Sequence, residues 1–115
     1  MVKKLDAIFS QYIRLRAVDE NGMGECYTCG AVRHWREVHC GHFMSRACYS
    51  TRWDPMNCAF QCVRCNSFRS GEQFRFALHL DQDHGEGTAE ALLIKSKKTR
   101  KFTHAELEQM YHHYK

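Results

Sequence analysis

Cys26, Cys29, Cys62 and Cys65 form two Cys-x-x-Cys pairs, and the chain between them must return on itself if all four thiolates are to meet. Cysteines so spaced can close a tetrahedral zinc site, with sulfur about 2.3 Å from the metal. Zinc binding then supplies folding free energy to a loop-rich stretch that has few uninterrupted apolar runs. His39, His42 and Asn57 lie between the pairs, and Asn66 follows the second. Residues 25–71 are therefore expected to form the core, with chemistry carried by what the metal holds in place.

A chain of 115 residues has the usual size of one domain, and a structural metal helps appreciably at that size. We read residues 1–115 as a single domain. The seven cysteines are an odd number, and closely spaced pairs in a reducing compartment are metal ligands before they are disulfides. Cys40, Cys48 and Cys58 fall outside the paired spacing and are expected to be small packed side chains. No apolar run approaches the roughly 20 residues of a membrane helix, and Met1 to Ala7 lacks the apolar core of a signal peptide. A soluble, intracellular protein with no membrane partner is expected.

The net charge of +4 is mild, but its placement is informative. Residues 26–70 carry six arginines (33, 36, 46, 52, 64 and 69) against Glu37 and Asp54. Five of the seven residues from Lys95 to Lys101 are basic. Such clusters suit a polyanion such as nucleic acid, and equally a solvated surface.

An amphipathic helix is predicted over residues 3–19, because Leu5, Ile8, Phe9, Tyr12 and Ile13 recur at helical spacing, with Asn21-Gly22 as its stop. Mixed polarity from Val32 to Met44 suggests two short antiparallel strands, and residues 45–57, with the Asp54-Pro55 turn signal, suggest a loop. A C-terminal helical region, residues 72–115, should follow. Gly71 breaks the chain before an apolar face of Phe74, Ala77 and Leu78, and Thr88 caps a short helix. Thr103 and Glu106 form a capping box, with Phe102 and Leu107 as its hydrophobic staple, before a last helix. The fold class is α+β and mostly helical.

Gly41-His42-Phe43, Asn57 and Cys62-x-x-Cys65-Asn66 together resemble the HNH, or ββα-metal, endonucleases, whose treble-clef-like core is zinc-stabilised. The likeness narrows with His39-Cys-Gly-His42-Phe, Arg52-Trp-Asp-Pro-Met-Asn57, Gln61-Cys-Val-Arg-Cys65-Asn66 and Ser70-Gly71. These segments look like the NinG (Rap) recombination proteins of lambdoid phages, and the likeness covers most of the chain. The resemblance implies a structure-selective endonuclease acting on branched DNA such as Holliday junctions, in the cytoplasm of a bacterial host. Two cuts at a junction suit a homodimer; a monomer that nicks branched DNA fits equally.

Phosphodiester hydrolysis needs an activated water, relief of charge at phosphorus and stabilisation of the leaving 3′-oxygen. His42 is assigned as general base, since a neutral imidazole titrates in the right range. Asn57 is expected to orient it by accepting from its other nitrogen. Asn66 is assigned to a catalytic Mg²⁺ or Mn²⁺ through its amide oxygen. Many HNH sites carry a metal ligand immediately before the base, where this chain has Gly41. His39, two residues earlier on the same strand face, substitutes for it in our reading. NinG proteins carry Asp at the matching position; a His ligand is softer and favours Mn²⁺ or a transition metal. Glu72 is a candidate outer carboxylate. Arg46, Arg52, Arg64 and Arg69 are expected to contact phosphates, with Lys97 and Lys98 on a second duplex arm. The competing readings are a non-catalytic zinc-finger DNA-binding module and a generic, sequence-preferring HNH nickase.

Overall fold

The computed structural model describes residues 1–115. Helix α1, Val2–Leu15, buries Leu5, Phe9 and Ile13 as one stripe. It ends four residues before the expected boundary at Asp19. The chain then turns at Asp19–Met23, where the Asp19 carboxylate accepts from the amides of Asn21 and Met23 at 2.8 and 3.0 Å. Gly22, at φ +78, serves that turn and not the helix end.

The strands pair differently from the expected hairpin within residues 32–44. Strand β1, Met23–Glu25, pairs antiparallel with β2, Val32–His34, and these two enclose the first cysteine pair. Strand β3, Val38–His42, pairs antiparallel with β4, Cys58–Cys62, in the register Val38↔Cys62 through His42↔Cys58. Every residue of β4 is buried, so it has no polar face to produce alternation, which is why the pattern in residues 58–62 shows no strand signal. The expected loop at 45–57 contains a short helix, α2, Tyr49–Arg52, and a single 3-10 turn at Pro55–Asn57.

The β3–β4 hairpin has a cluster on each side. On one side Leu5, Phe9, Ile13, Trp53 and Cys58 pack together and receive Phe102, Leu107, Met110, Tyr111 and Tyr114. The last four lie on α5, His104–Tyr114, whose capping box between Thr103 and Glu106 is formed. On the other side Phe43, Ala59, Phe76, Leu80 and Leu92 meet. Phe76 and Leu80 come from α3, Gln73–His84, and Leu92 from α4, Thr88–Ser96. The buried face of α3 is therefore not the expected Phe74/Leu78 face, since these two are 78% and 52% exposed. Gly87, not Thr88, caps α4, in a left-handed conformation suited to glycine. No helix is long and apolar enough to cross a membrane.

Candidate active site

Strand β4 delivers Cys62 to its end, and a five-residue π-turn, Arg64–Phe68, delivers Cys65 and Asn66. The thiols of Cys26, Cys29, Cys62 and Cys65 all lie within 4.8 Å of one another, and Cys29 Sγ is 3.7 Å from Cys62 Sγ. Tetrahedral zinc with bonds of about 2.3 Å sets sulfurs about 3.8 Å apart, so the donor set fits a structural metal such as zinc. Burial alone would raise the Cys26 thiol. The Cys62 amide at 3.3 Å, the Thr28 hydroxyl at 3.4 Å and neighbouring amides reverse this and bring it down to about 6. Burial pushes Cys65 up to about 12 in the metal-free protein. The Cys26 end thus presents a ready thiolate, and metal binding would displace the proton from Cys65.

At the opposite end of the same hairpin, His42 Nε2 lies 3.0 Å from the carbonyl oxygen of Arg52. A carbonyl only accepts, so Nε2 carries the proton and Nδ1 keeps the lone pair in the neutral ring. The ring lines a cleft of about 600 Å³ together with Asp6, Ser10, Arg14, His39, Arg46 and Asn66. Burial pushes the His42 imidazole below its ordinary value; the Arg52 carbonyl opposes this, and the Arg46 charge adds to it.

His39 and Asn66, from β3 and the π-turn, meet in this cleft, with Asn66 Nδ2 2.9 Å from His39 Nδ1. An amide nitrogen only donates, so His39 Nδ1 accepts there.

Asn57 is placed elsewhere than expected. It is fully buried, its Oδ1 accepts from the Met44 amide at 2.8 Å, and its Nδ2 donates to the carbonyls of Met44 and Thr51 at 3.0 and 3.1 Å. Its side chain is committed to the backbone of the 43–57 connection, and the Arg52 carbonyl takes the orienting position expected of it. Arg52 is likewise not free for phosphate. Its Nε and Nη2 donate to the two oxygens of Asp6 at 3.1 and 2.6 Å, and its Nη1 donates to the Arg46 carbonyl at 2.9 Å. Trp53 Nε1 donates to the same Asp6 at 2.9 Å. Asp6 and the backbone of Arg52 are the site residues that sequence reasoning missed. The only signal was a carboxylate on the edge of an otherwise apolar helix stripe.

Gly41 has a steric reason to lack a side chain. A Cβ there would stand 2.0 Å from Gln61 Oε1. Gln61 is fully buried opposite His39 and donates to Thr28 Oγ1 at 3.1 Å and to the Gly71 carbonyl at 2.7 Å. Glu72 does not line the cleft; it lies 3.7 Å from both Arg69 and Arg75. Of the basic residues, Arg46 lines the cleft, while Arg64 and Arg69 are exposed on the π-turn and just beyond it. Lys97 and Lys98 are exposed, and Lys98 borders a separate cleft with Trp53, Lys95 and Phe102.

A second soft cluster includes His42. One ring nitrogen of His42 and the sulfurs of Cys40 and Cys58 lie within 4.8 Å of one another. Cys40 shares a strand face with His42, and Cys58 is its direct cross-strand partner.

No curated protein and no solved structure matches the chain. The family model described as bacteriophage lambda NinG protein matches it from residue 1 to residue 115, and the chain belongs to the NinG family.

Proposed function

We propose that this protein is a metal-dependent DNA endonuclease of the HNH type, one domain with its ββα-metal core at residues 25–71, that cuts branched recombination intermediates such as Holliday junctions. Membership of a phage recombination family supports the pathway. The observation that carries the chemistry is the 3.0 Å contact of His42 Nε2 with the Arg52 carbonyl, in the cleft that His39 and Asn66 also line.

His42 Nδ1 takes the proton from the attacking water, a contribution of about 10²- to 10⁴-fold for a positioned base. The Arg52 carbonyl stabilises the imidazolium formed by that transfer, because Nε2–H donates more strongly once the ring is charged. Asn66 and His39 would hold a divalent cation, Mg²⁺ or Mn²⁺. When bound, it supplies charge against the phosphorane and the departing 3′-oxygen. The Asn66–His39 hydrogen bond brings the two side chains together, and the cation would replace it by taking the His39 Nδ1 lone pair that accepts there while the amide turns its Oδ1 inward. Asn57 contributes by fixing the connection that presents Arg52. Arg46 stands at the cleft where a phosphate enters, and Arg64, Arg69, Lys97 and Lys98 extend the basic surface along the DNA. The setting is the cytoplasm of a bacterial host, as a homodimer where two strands are cut.

The test is cleavage of matched linear duplex, flap and four-way junction DNA with Mg²⁺ or Mn²⁺, with His42→Ala as control. Metal-dependent cutting that favours the branched substrates and disappears in the folded, zinc-loaded variant is expected. Binding without cutting under any metal would leave a zinc-finger DNA-binding module; equal cutting of all three DNAs would remove the structure selectivity.

A further inference from the structure

The turn that follows Asn66 carries the two most exposed large apolar side chains of the chain, Phe68 at 81% and Phe74 at 78%. A single exposed phenylalanine needs no explanation. These two stand at either end of an unusually constrained backbone. Ser70, Gly71 and Glu72 are all left-handed, with φ of 52, 85 and 49°. That conformation is disfavoured for Ser and Glu and persists only where the surroundings impose it.

The imposing contacts are visible. The Gly71 amide donates to the Cys65 carbonyl at 2.7 Å, and the Gly71 carbonyl accepts from buried Gln61 at 2.7 Å. The Glu72 carboxylate lies 3.7 Å from Arg69 on one side and Arg75 on the other. Phe68, at the end of the π-turn, and Phe74, in the first turn of α3, thus flank a segment tied to the four-cysteine end of the fold. Each ring is followed directly by an arginine, Arg69 or Arg75, and Arg64 opens the same π-turn. Asn66, which lines the cleft with His39 and His42, is two residues before Phe68.

Exposed aromatic faces interleaved with guanidinium groups match a nucleic-acid strand whose bases are free to stack, since rings take the bases while cations take the phosphates. A closed duplex hides its base faces within the stack. We propose that Phe68 and Phe74 stack on unpaired DNA bases at a branch point, and that this turn supplies the preference for branched over linear DNA. The proposal rests on the nuclease reading for the identity of the polyanion, but stacking is measurable without cleavage.

The experiment uses the full chain carrying His42→Ala, loaded with zinc, and forked or single-stranded DNA with 2-aminopurine at the unpaired positions, against a matched duplex. Phe68→Ala and Phe74→Ala should each weaken binding of the unpaired DNA about ten-fold or more, leave duplex binding within about two-fold, and relieve quenching of 2-aminopurine. Phe68→Trp should retain the preference. Equal losses on both DNAs, or no loss on either, would overturn the proposal. Its fate is separate from that of the nuclease reading. Wild-type cleavage with no selective binding loss sinks the stacking alone, and selective loss with no wild-type cleavage sinks the nuclease alone.

Discussion

The backbone of Arg52 and the side chain of His42 form one unit: the carbonyl receives Nε2 at 3.0 Å while the guanidinium of the same residue is gripped by Asp6 of α1. The N-terminal helix therefore reaches the His42 ring through a carboxylate, a guanidinium and a peptide plane. Removing the charge of Asp6 while keeping its shape should loosen this chain without touching the ring. Asp6→Asn is expected to lower kcat for DNA cleavage by about 10- to 100-fold, the order of loss when a catalytic group is misplaced. Zinc content and DNA affinity should be retained. Cleavage kinetics beside zinc analysis check this, and an unchanged kcat would refute the coupling.

The pH profile follows from the same ring. Burial holds the His42 pKa below its ordinary value of 6.5, with the Arg52 carbonyl opposing and the Arg46 charge assisting. With the neutral ring as the proposed base, cleavage should be lost as pH falls through this depressed value, and the acid limb of kcat/KM should lie below about 6.5. In the window between the two values the unfolded chain binds the proton and the folded chain does not, so stability also falls as pH drops there. Arg46→Ala removes a charge that lowers the pKa and should move the limb upward. A limb that stays fixed or shifts downward would contradict the assignment.

Gly41 makes a prediction against what the HNH resemblance implies. Many HNH sites place a ligand at this position, yet a Cβ here would meet Gln61 Oε1 at 2.0 Å. Gly41→Asp should therefore not improve metal binding. Both Gly41→Asp and Gly41→Ala should destabilise the fold by about 1–3 kcal/mol through overpacking, with the cost reduced in a Gln61→Ala background. Thermal or urea unfolding of the single and double variants measures the coupling.

Two metal classes should be separable by titration. Chelating zinc should unfold residues around the four-cysteine site, since its thiolates fit one ion and the metal contributes folding free energy. Excess zinc or Co²⁺ should add a second, weaker equivalent at Cys40, His42 and Cys58, because one ring nitrogen of His42 and the two sulfurs lie within 4.8 Å of one another. That second equivalent would occupy His42 and should inhibit cleavage. Cys40→Ser should abolish its thiolate absorption and the inhibition while sparing the first equivalent. Identical stoichiometry in both proteins would exclude the second site.

The zinc ligands were legible because their spacing alone implies a geometry, and the helix-forming stripe of Leu5, Phe9 and Ile13 because period 3.6 is written in one segment. The Thr103/Glu106 capping box was legible for the same local reason. Other features depend on what tertiary packing places nearby. Strand β4 was hidden because two clusters bury both of its faces. Phe74 and Leu78 repeat at a helical interval as Phe76 and Leu80 do, and only the position of the sheet selects the second pair for burial. Within the site, His39 and Asn66, which motif spacing assigns to one cation, are hydrogen-bonded to each other. Asn57 and Arg52 were assigned to imidazole and phosphate because residue type suggests chemistry. Their partners are backbone carbonyls and Asp6, which no spacing announces.

The β3–β4 ladder runs from Val38↔Cys62 to His42↔Cys58, with a thiol of the four-cysteine cluster at one end and the His42 ring at the other. A side-chain period of two means that a one-residue slip would turn Cys62 away from the metal and reverse the face of every residue on β4. A metal held by the four cysteines would thus act as a lock on strand phase. An insertion within residues 43–57 alters the connection but leaves that lock in place, whereas a single residue added inside 58–62 would spoil both ends at once. The four-cysteine cluster and the His42 cleft are set by the same click of one ratchet, and neither can be tuned by sliding the strand.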